Sequence, residues 1–364
     1  MLIADVIRYL EEIFPRTYAE SFDNTGLLVG DPTQKLSGII VAHDVLEEVV
    51  EEAYRKKANL IIAFHPIIFS GLKSLTGKTY VERTVMKAIK YGVAIYSPHT
   101  ALDKHHKGVS YWTGKMLELS DMRVLIPENH TILQLVTYVP HEHVESVRSA
   151  LFKAGAGHIG EYEECSYNVE GYGTFKPTGN AAPYVGEIGK RHIEPETRIS
   201  VIFPKHLKEQ VLEQMFSAHP YEEPAYEIFI LENKNLEIGL GTIGTLSGEF
   251  SPLQFLNFVK QKLHTGFLKH SSLPDKKIKK VAILGGSGAF AIEAAKSAGA
   301  DAFITGDLKY HDFFKAENKI LLIDAGHYET EQFVTENLVE IISEKFPKFA
   351  VAKSETNTNP VKYF

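Results

Sequence analysis

The chain has 364 residues, a formal net charge of −7, sixteen histidines and a single cysteine, Cys165. The negative balance argues against a surface built to coat nucleic acid, and one cysteine excludes intrachain disulfides and multi-thiolate zinc sites. No apolar run is long enough to span a bilayer, and the N-terminus lacks a basic leader followed by an apolar stretch, so the expected home is a reducing cytoplasm.

Ile3, Val6, Ile7, Leu10 and Ile13 recur at helical spacing, and Pro15 ends that helix. A loop over residues 21–26 leads to Leu27–Gly30. Residues 38–42 read as a strand, and Val45, Leu46, Val49, Val50 and Ala53 as the apolar face of a helix. A strand over 60–64, a helix from Val81 to Ala88 and a strand over 93–96 follow. Strands alternating with helices predict a largely parallel sheet covered on both faces. Two strand ends carry polar groups: His65-Pro66 after the strand ending at Phe64, and His99-Thr100-Ala101-Leu102-Asp103 after the strand ending at Tyr96. Ligands of open α/β sheets gather at such carboxyl ends. Taken singly, His65 reads as a turn residue and Asp103 as a cap or solvated charge.

The pattern changes near Asn129. A strand from Thr131 to Val139, a helix through Val144, Val147 and Leu151, and glycine-rich hairpin chemistry over 171–175 come first. A strand over 198–203, a helix from Leu207 to Phe216 and a strand over 225–230 complete the stretch. This order is that of a ferredoxin-like split unit, so an α+β inserted domain is expected over 128–233. It would interrupt a discontinuous α/β domain made of 1–127 and 234–364. His219-Pro220-Tyr221-Glu222-Glu223-Pro224 in the insert is polar and aromatic: it reads first as a rigid turn held by its prolines, with a small binding site as the alternative.

After Asn233 the first style returns. Residues 240–246 read as a glycine-interrupted strand, and Ser251-Pro252 as a helix start. Residues 280–284 form a buried strand, and the turn 285–288 leads into a helix from Ala289 to Ala298. Gly286, Gly288 and Ala291 satisfy a loose dinucleotide fingerprint, with Asp307 near the ribose position. Close packing of that helix on the sheet accounts for the same glycines, and no organic cofactor is assigned. The apolar run 320–323 and the stretch Asp324-Ala325-Gly326-His327-Tyr328-Glu329-Thr330-Glu331 make a strand-to-helix turn. His327 and Glu331, four apart, share one helix face and form half of a divalent-metal site. The plainer reading is a helix N-terminus whose acidic residues suit the dipole.

With these residues in place, the chain resembles the NIF-three-like (NGG-one-interacting factor three-like) family, the GTP cyclohydrolase I type 2 homologues. The matching stretches are 23–30, 65–69, 99–103, 285–288, 305–307 and 326–331, in order along both outer segments. The insert resembles the CutA/PII-like domain of the longer bacterial members through 157–160, 173–175 and 219–226. The resemblance implies a two-metal site inside a ring-shaped homohexamer with the inserts over its openings. His65 and Asp103 would hold one metal, His327 the second, and Glu331 would bridge. The ions would be zinc or iron, with manganese or nickel as further options, one or two per chain. The family pairs two histidines before the proline, and here the first is Phe64, so the second metal is expected to bind more weakly. His99 is the nearest replacement in sequence, with a supporting role behind a ligand favoured. A metal-dependent hydrolase acting on an unnamed small molecule is one implied function, and a non-enzymatic metal-handling or regulatory ring is the other. No catalytic residue is assigned.

Overall fold

The computed structural model describes residues 1–362. They divide into two compact units: Met1–Pro127 together with the chain from Leu236 onward, and Glu128–Asn235.

The first unit opens with helix α1 (Ile3–Ile13), which buries Ile3, Val6 and Leu10 as their spacing requires. Strand β1 (Gly26–Val29), strand β2 (Ile39–Ala42), helix α2 (Glu47–Arg55) and strand β3 (Leu60–Ala63) follow. Helix α3 (Tyr80–Tyr91) is capped by the Thr79 hydroxyl and stopped by Gly92 in the left-handed region. Strand β4 (Ala94–Ser97), helix α4 (His99–Asp103), helix α5 (Val109–Met116) and strand β5 (Ser120–Glu128) lead to the second unit.

That unit contains strand β6 (Ile132–Pro140), helix α6 (Val144–Lys153), strand β7 (Tyr167–Phe175), strand β8 (His192–Pro204), helix α7 (Lys208–Ala218) and strand β9 (Tyr226–Leu231). Its sheet runs β7-β8-β6-β9, with each neighbouring pair antiparallel. The glycine-rich stretch 171–175, expected to turn, lies within β7 instead. There β7 as a whole pairs with β8 over nine consecutive positions, because Tyr167, Val169 and Tyr172 supply the extended propensity around the glycines.

The first unit resumes with strand β10 (Asn235–Phe250) and helix α8 (Pro252–Lys262). Ser251 and Gln254 cap that helix reciprocally, and Pro252 stands at its first turn. Strand β11 (Lys269–His270), strand β12 (Ile278–Ser287), helix α9 (Ile292–Ser297), strand β13 (Ala302–Gly306) and strand β14 (Leu321–Asp324) come next. Helix α10 (His327–Glu331), helix α11 (Val334–Lys345) and strand β15 (Val351–Lys353) finish it.

Among the described residues this unit holds a five-stranded sheet, β1-β4-β3-β2-β15, and a six-stranded sheet, β11-β14-β13-β12-β10-β5. The first is parallel from β4 through β15, with β1 antiparallel at its edge. The second is mixed, while most pairings of the unit are parallel, as expected. β12, β13 and β14 pair in parallel, whereas β10 and β11 run antiparallel to their neighbours β12 and β14. Parallel pairing needs a crossover, and α9 and the helical turn Tyr310–Ala316 supply it between β12, β13 and β14. β2, β3, β4 and β14 are buried along their whole length, as their continuous apolar runs demand.

Candidate metal centre

The carboxyl ends of both sheets supply the site. His43 and Asp44 follow β2, His65 lies two residues beyond β3, and His99 opens α4 just after β4. Asp307 follows β13, and His327 opens α10 after β14. The turn into α10 depends on Gly326 at φ 96°, a backbone conformation that an L side chain resists.

Glu331 is the centre of the group. Its Oε2 lies 3.3 Å from His43 Nε2, 3.4 Å from His65 Nε2 and 3.3 Å from His327 Nε2. His65, His327 and Glu331 offer ligand atoms within 4.8 Å of one another, and so do His43, Asp44 and His65. Donors bound to one zinc at ~2.1 Å in a tetrahedron sit about 3.4 Å apart, so each imidazole–Glu331 separation fits a pair of ligands sharing one ion.

Each imidazole is held from behind. His65 Nδ1 donates to Asp44 Oδ1 at 2.9 Å, and His43 Nδ1 to Asp44 Oδ2 at 2.9 Å. His327 Nδ1 donates to Asp307 Oδ2 at 2.7 Å, and His99 Nδ1 to Asp23 Oδ1 at 2.8 Å. A carboxylate can only accept, so Nδ1 carries a proton in each pair and Nε2 is the nitrogen left to face a cation. Carboxylates behind imidazoles are the usual support of metal-binding histidines. His99 takes that arrangement with φ at 30°, a strained value tied down by Asp23, which also accepts from the Thr100 backbone at 3.1 Å.

The charges are strongly displaced. Burial would lower His65, but Asp44 and Glu331 outweigh it and raise its pKa to about 10. Burial likewise opposes the rise of His327 to about 9, which Glu331 and Asp307 drive. Burial alone would raise Glu331, yet His327, His43 and His65 hold it well below the carboxylate range. Asp103 goes the other way: burial pushes it well up, and the Glu331 charge adds to this. Two buried carboxylates repelling each other beside three imidazoles make a donor set that a divalent cation relieves.

The structure thus brings His65, His327 and Glu331 together. Asp103, at the end of α4 rather than in a loop, is coupled to them by charge and stands outside the tight cluster. His99 lies with its ring 5.3 Å from that of His65. Phe64 is fully buried and packs 4.9 Å from the His65 ring. Asp307, near the ribose position of the loose dinucleotide fingerprint, spends its carboxylate on His327 and Ser287 instead. His43, Asp44 and Asp23 were not singled out from the sequence. For His43-Asp44 the signal was available, since the pair follows a strand end as His65 does. A cavity of about 470 Å³ opens beside His43, His65 and His327, with Tyr328 and Lys269 on its wall.

Gly286 lets this packing form. Its φ is 64°, and a Cβ there would run into the Glu331 carboxylate and lie 3.3 Å from His327 Nε2. Gly286→Ala is expected to cost about 1–2 kcal/mol in backbone strain. By displacing Glu331 it should also weaken metal retention by roughly tenfold or more. Thermal unfolding of the metal-free variant and metal analysis after dialysis read the two effects separately.

Comparison with known proteins agrees over the full length. The family described as Duf34/NIF3 (NGG1p interacting factor 3) matches residues 1–360. A Bacillus subtilis protein named GTP cyclohydrolase 1 type 2 homolog is 39% identical over 98% of this chain and 97% of its own length. One of the same name from Halalkalibacterium halodurans is 36% identical over 98% of each. Among solved structures, a Bacillus cereus protein related to NIF3 superposes with a TM-score of 0.85 at 36% identity, covering 100% of this chain and 99% of that one. A Staphylococcus aureus protein gives 0.79 at 28% identity, covering 100% and 99%. Both strand-end histidines and the strand-to-helix turn at Gly326 lie inside the matched stretch, and this protein belongs to the NIF3 family.

Proposed function

We propose that the chain is a divalent-metal-binding protein and that its metal centre serves metal-dependent hydrolysis of a small molecule. The observation that carries the metal reading is the convergence of three carboxylate-backed imidazoles on Glu331 Oε2, a buried atom with no hydrogen bond of acceptable geometry. Zinc or iron suits such nitrogen and oxygen donors, with manganese or nickel also compatible, and one or two ions per chain. A divalent cation in such a site supplies Lewis-acid activation of water and substrate. The chain's own part is positional. Asp44 and Asp307 fix the imidazoles, Glu331 brings the negative charge, and the adjoining cavity admits a substrate. The room in that cavity favours hydrolysis over metal handling.

The proposal extends to assembly and to the second unit. A homohexameric ring in the cytoplasm is proposed on the resemblance; exposed Tyr54, Met86 and Ile89 on α2 and α3 offer apolar surface for it. The β-α-β-β-α-β order of the second unit supports a ferredoxin-like, CutA/PII-like insert. Purified protein assayed on phosphoesters and nucleotides, with and without added metal, tests the function. Metal-dependent turnover supports the hydrolase, whereas tight reversible metal binding without turnover replaces it with the metal-handling ring.

A further inference from the structure

We infer that His43 is itself a metal ligand in this chain, acting with Glu331 at the position where Phe64 offers no donor. This rests on the metal-binding reading above and adds to it the residue that completes the donor set.

The placement follows from strand register. β2 and β3 pair in parallel with Ala42 opposite Ala63, so the next residues, His43 and Phe64, leave the sheet side by side. Their rings lie 5.6 Å apart, and both side chains are buried. Of this adjacent pair only His43 carries a donor atom, and it presents Nε2 to Glu331.

The unmet polar groups point the same way. His43 Nε2 and Glu331 Oε2 are both buried and neither makes a hydrogen bond, although they stand 3.3 Å apart. Leaving a buried acceptor and a buried ring nitrogen unsatisfied is costly, and native structures rarely do it without an ion or water between the groups. Two donors at this separation but misaligned for a hydrogen bond are placed as neighbouring ligands of one cation.

The ring is also set up for ligation. Asp44 accepts from His43 Nδ1 with one oxygen and from His65 Nδ1 with the other, so a single carboxylate orients both imidazoles. The Thr358 hydroxyl donates to Asp44 Oδ2 at 2.9 Å and fixes that carboxylate. Tyr328 packs edge-on against the His43 ring at 4.9 Å. A histidine kept only for packing would not need the same carboxylate support as His65.

The test is cobalt(II) titration of the metal-free full-length protein, followed by visible absorption, with metal per chain measured after dialysis against a weak chelator. His43→Leu removes the donor. His43→Gln keeps an amide able to donate to Glu331 and so preserves any purely structural contact. Both variants are expected to lose at least about tenfold in cobalt affinity and to retain less metal per chain, with a changed absorption band. Affinity within tenfold of the unaltered protein in either folded variant overturns the inference. His65→Ala serves as the control. If it too binds cobalt normally, the metal centre itself is refuted; if it loses cobalt while the His43 variants do not, only the role of His43 falls.

Discussion

Replacing Glu331 by Gln is expected to abolish metal retention more completely than any other single change in the site. One carboxylate oxygen serves three imidazoles, at 3.3, 3.4 and 3.3 Å, so no neighbour can take over its position. Changing a group that merely orients a metal ligand costs about 10–100-fold in affinity, and loss of the shared ligand should exceed about 100-fold. The amide keeps the shape of the side chain and removes the charge that adds to burial in raising Asp103. The fold should therefore survive, which far-UV circular dichroism can verify. Competition with a chelator of known affinity reads the metal term. Affinity within tenfold of the unaltered protein would show that the three imidazoles converge on Glu331 for reasons other than metal.

Metal affinity should also climb steeply with pH. In the metal-free protein His65 titrates at about 10 and His327 at about 9, both above an ordinary value of 6.5. Both rings carry a second proton at neutral pH, on the nitrogen that must face the cation. Binding has to expel two protons, so apparent affinity should change by up to about 10⁴-fold between pH 6 and pH 8. The metal-free protein follows the opposite trend. A raised histidine pKa stabilises the fold fully below 6.5, and that contribution disappears as pH rises through about 9 to 10. The gain in melting temperature on adding metal should thus widen from pH 6.5 toward 9. Calorimetric titrations in buffers of different ionisation enthalpy would count the released protons. A pH-independent affinity with no proton release would mean that the imidazoles do not ligate.

Much of the framework is legible without coordinates because it depends on local physics. The spacing of Ile3, Val6 and Leu10, the Ser251-Pro252 cap and the apolar runs of β2, β3, β4 and β14 each act within a few residues. His65 after one strand, and His327 and Glu331 one helical turn apart, are visible on the same terms. Strand direction in the second sheet is not, since β10 and β12 pair across a stretch that contains both helical and extended segments. Nor is the pairing of β15 with β2, which joins a strand near the start of the chain to one near its end.

The sequence by itself determined which side chains stand at strand ends and which helix faces are apolar, because alternation, capping and turn chemistry are short-range. Only the tertiary structure decided how those ends meet. Asp44 reaches His65 across twenty-one positions, Asp307 reaches His327 across twenty, and Asp23 reaches His99 across seventy-six. Such pairings follow from register and from the meeting of two sheets, and no periodicity records them. His43 is the clearest case: its neighbour along the chain is Asp44, but its place beside Phe64 and opposite Glu331 exists only once β2 lies in register with β3.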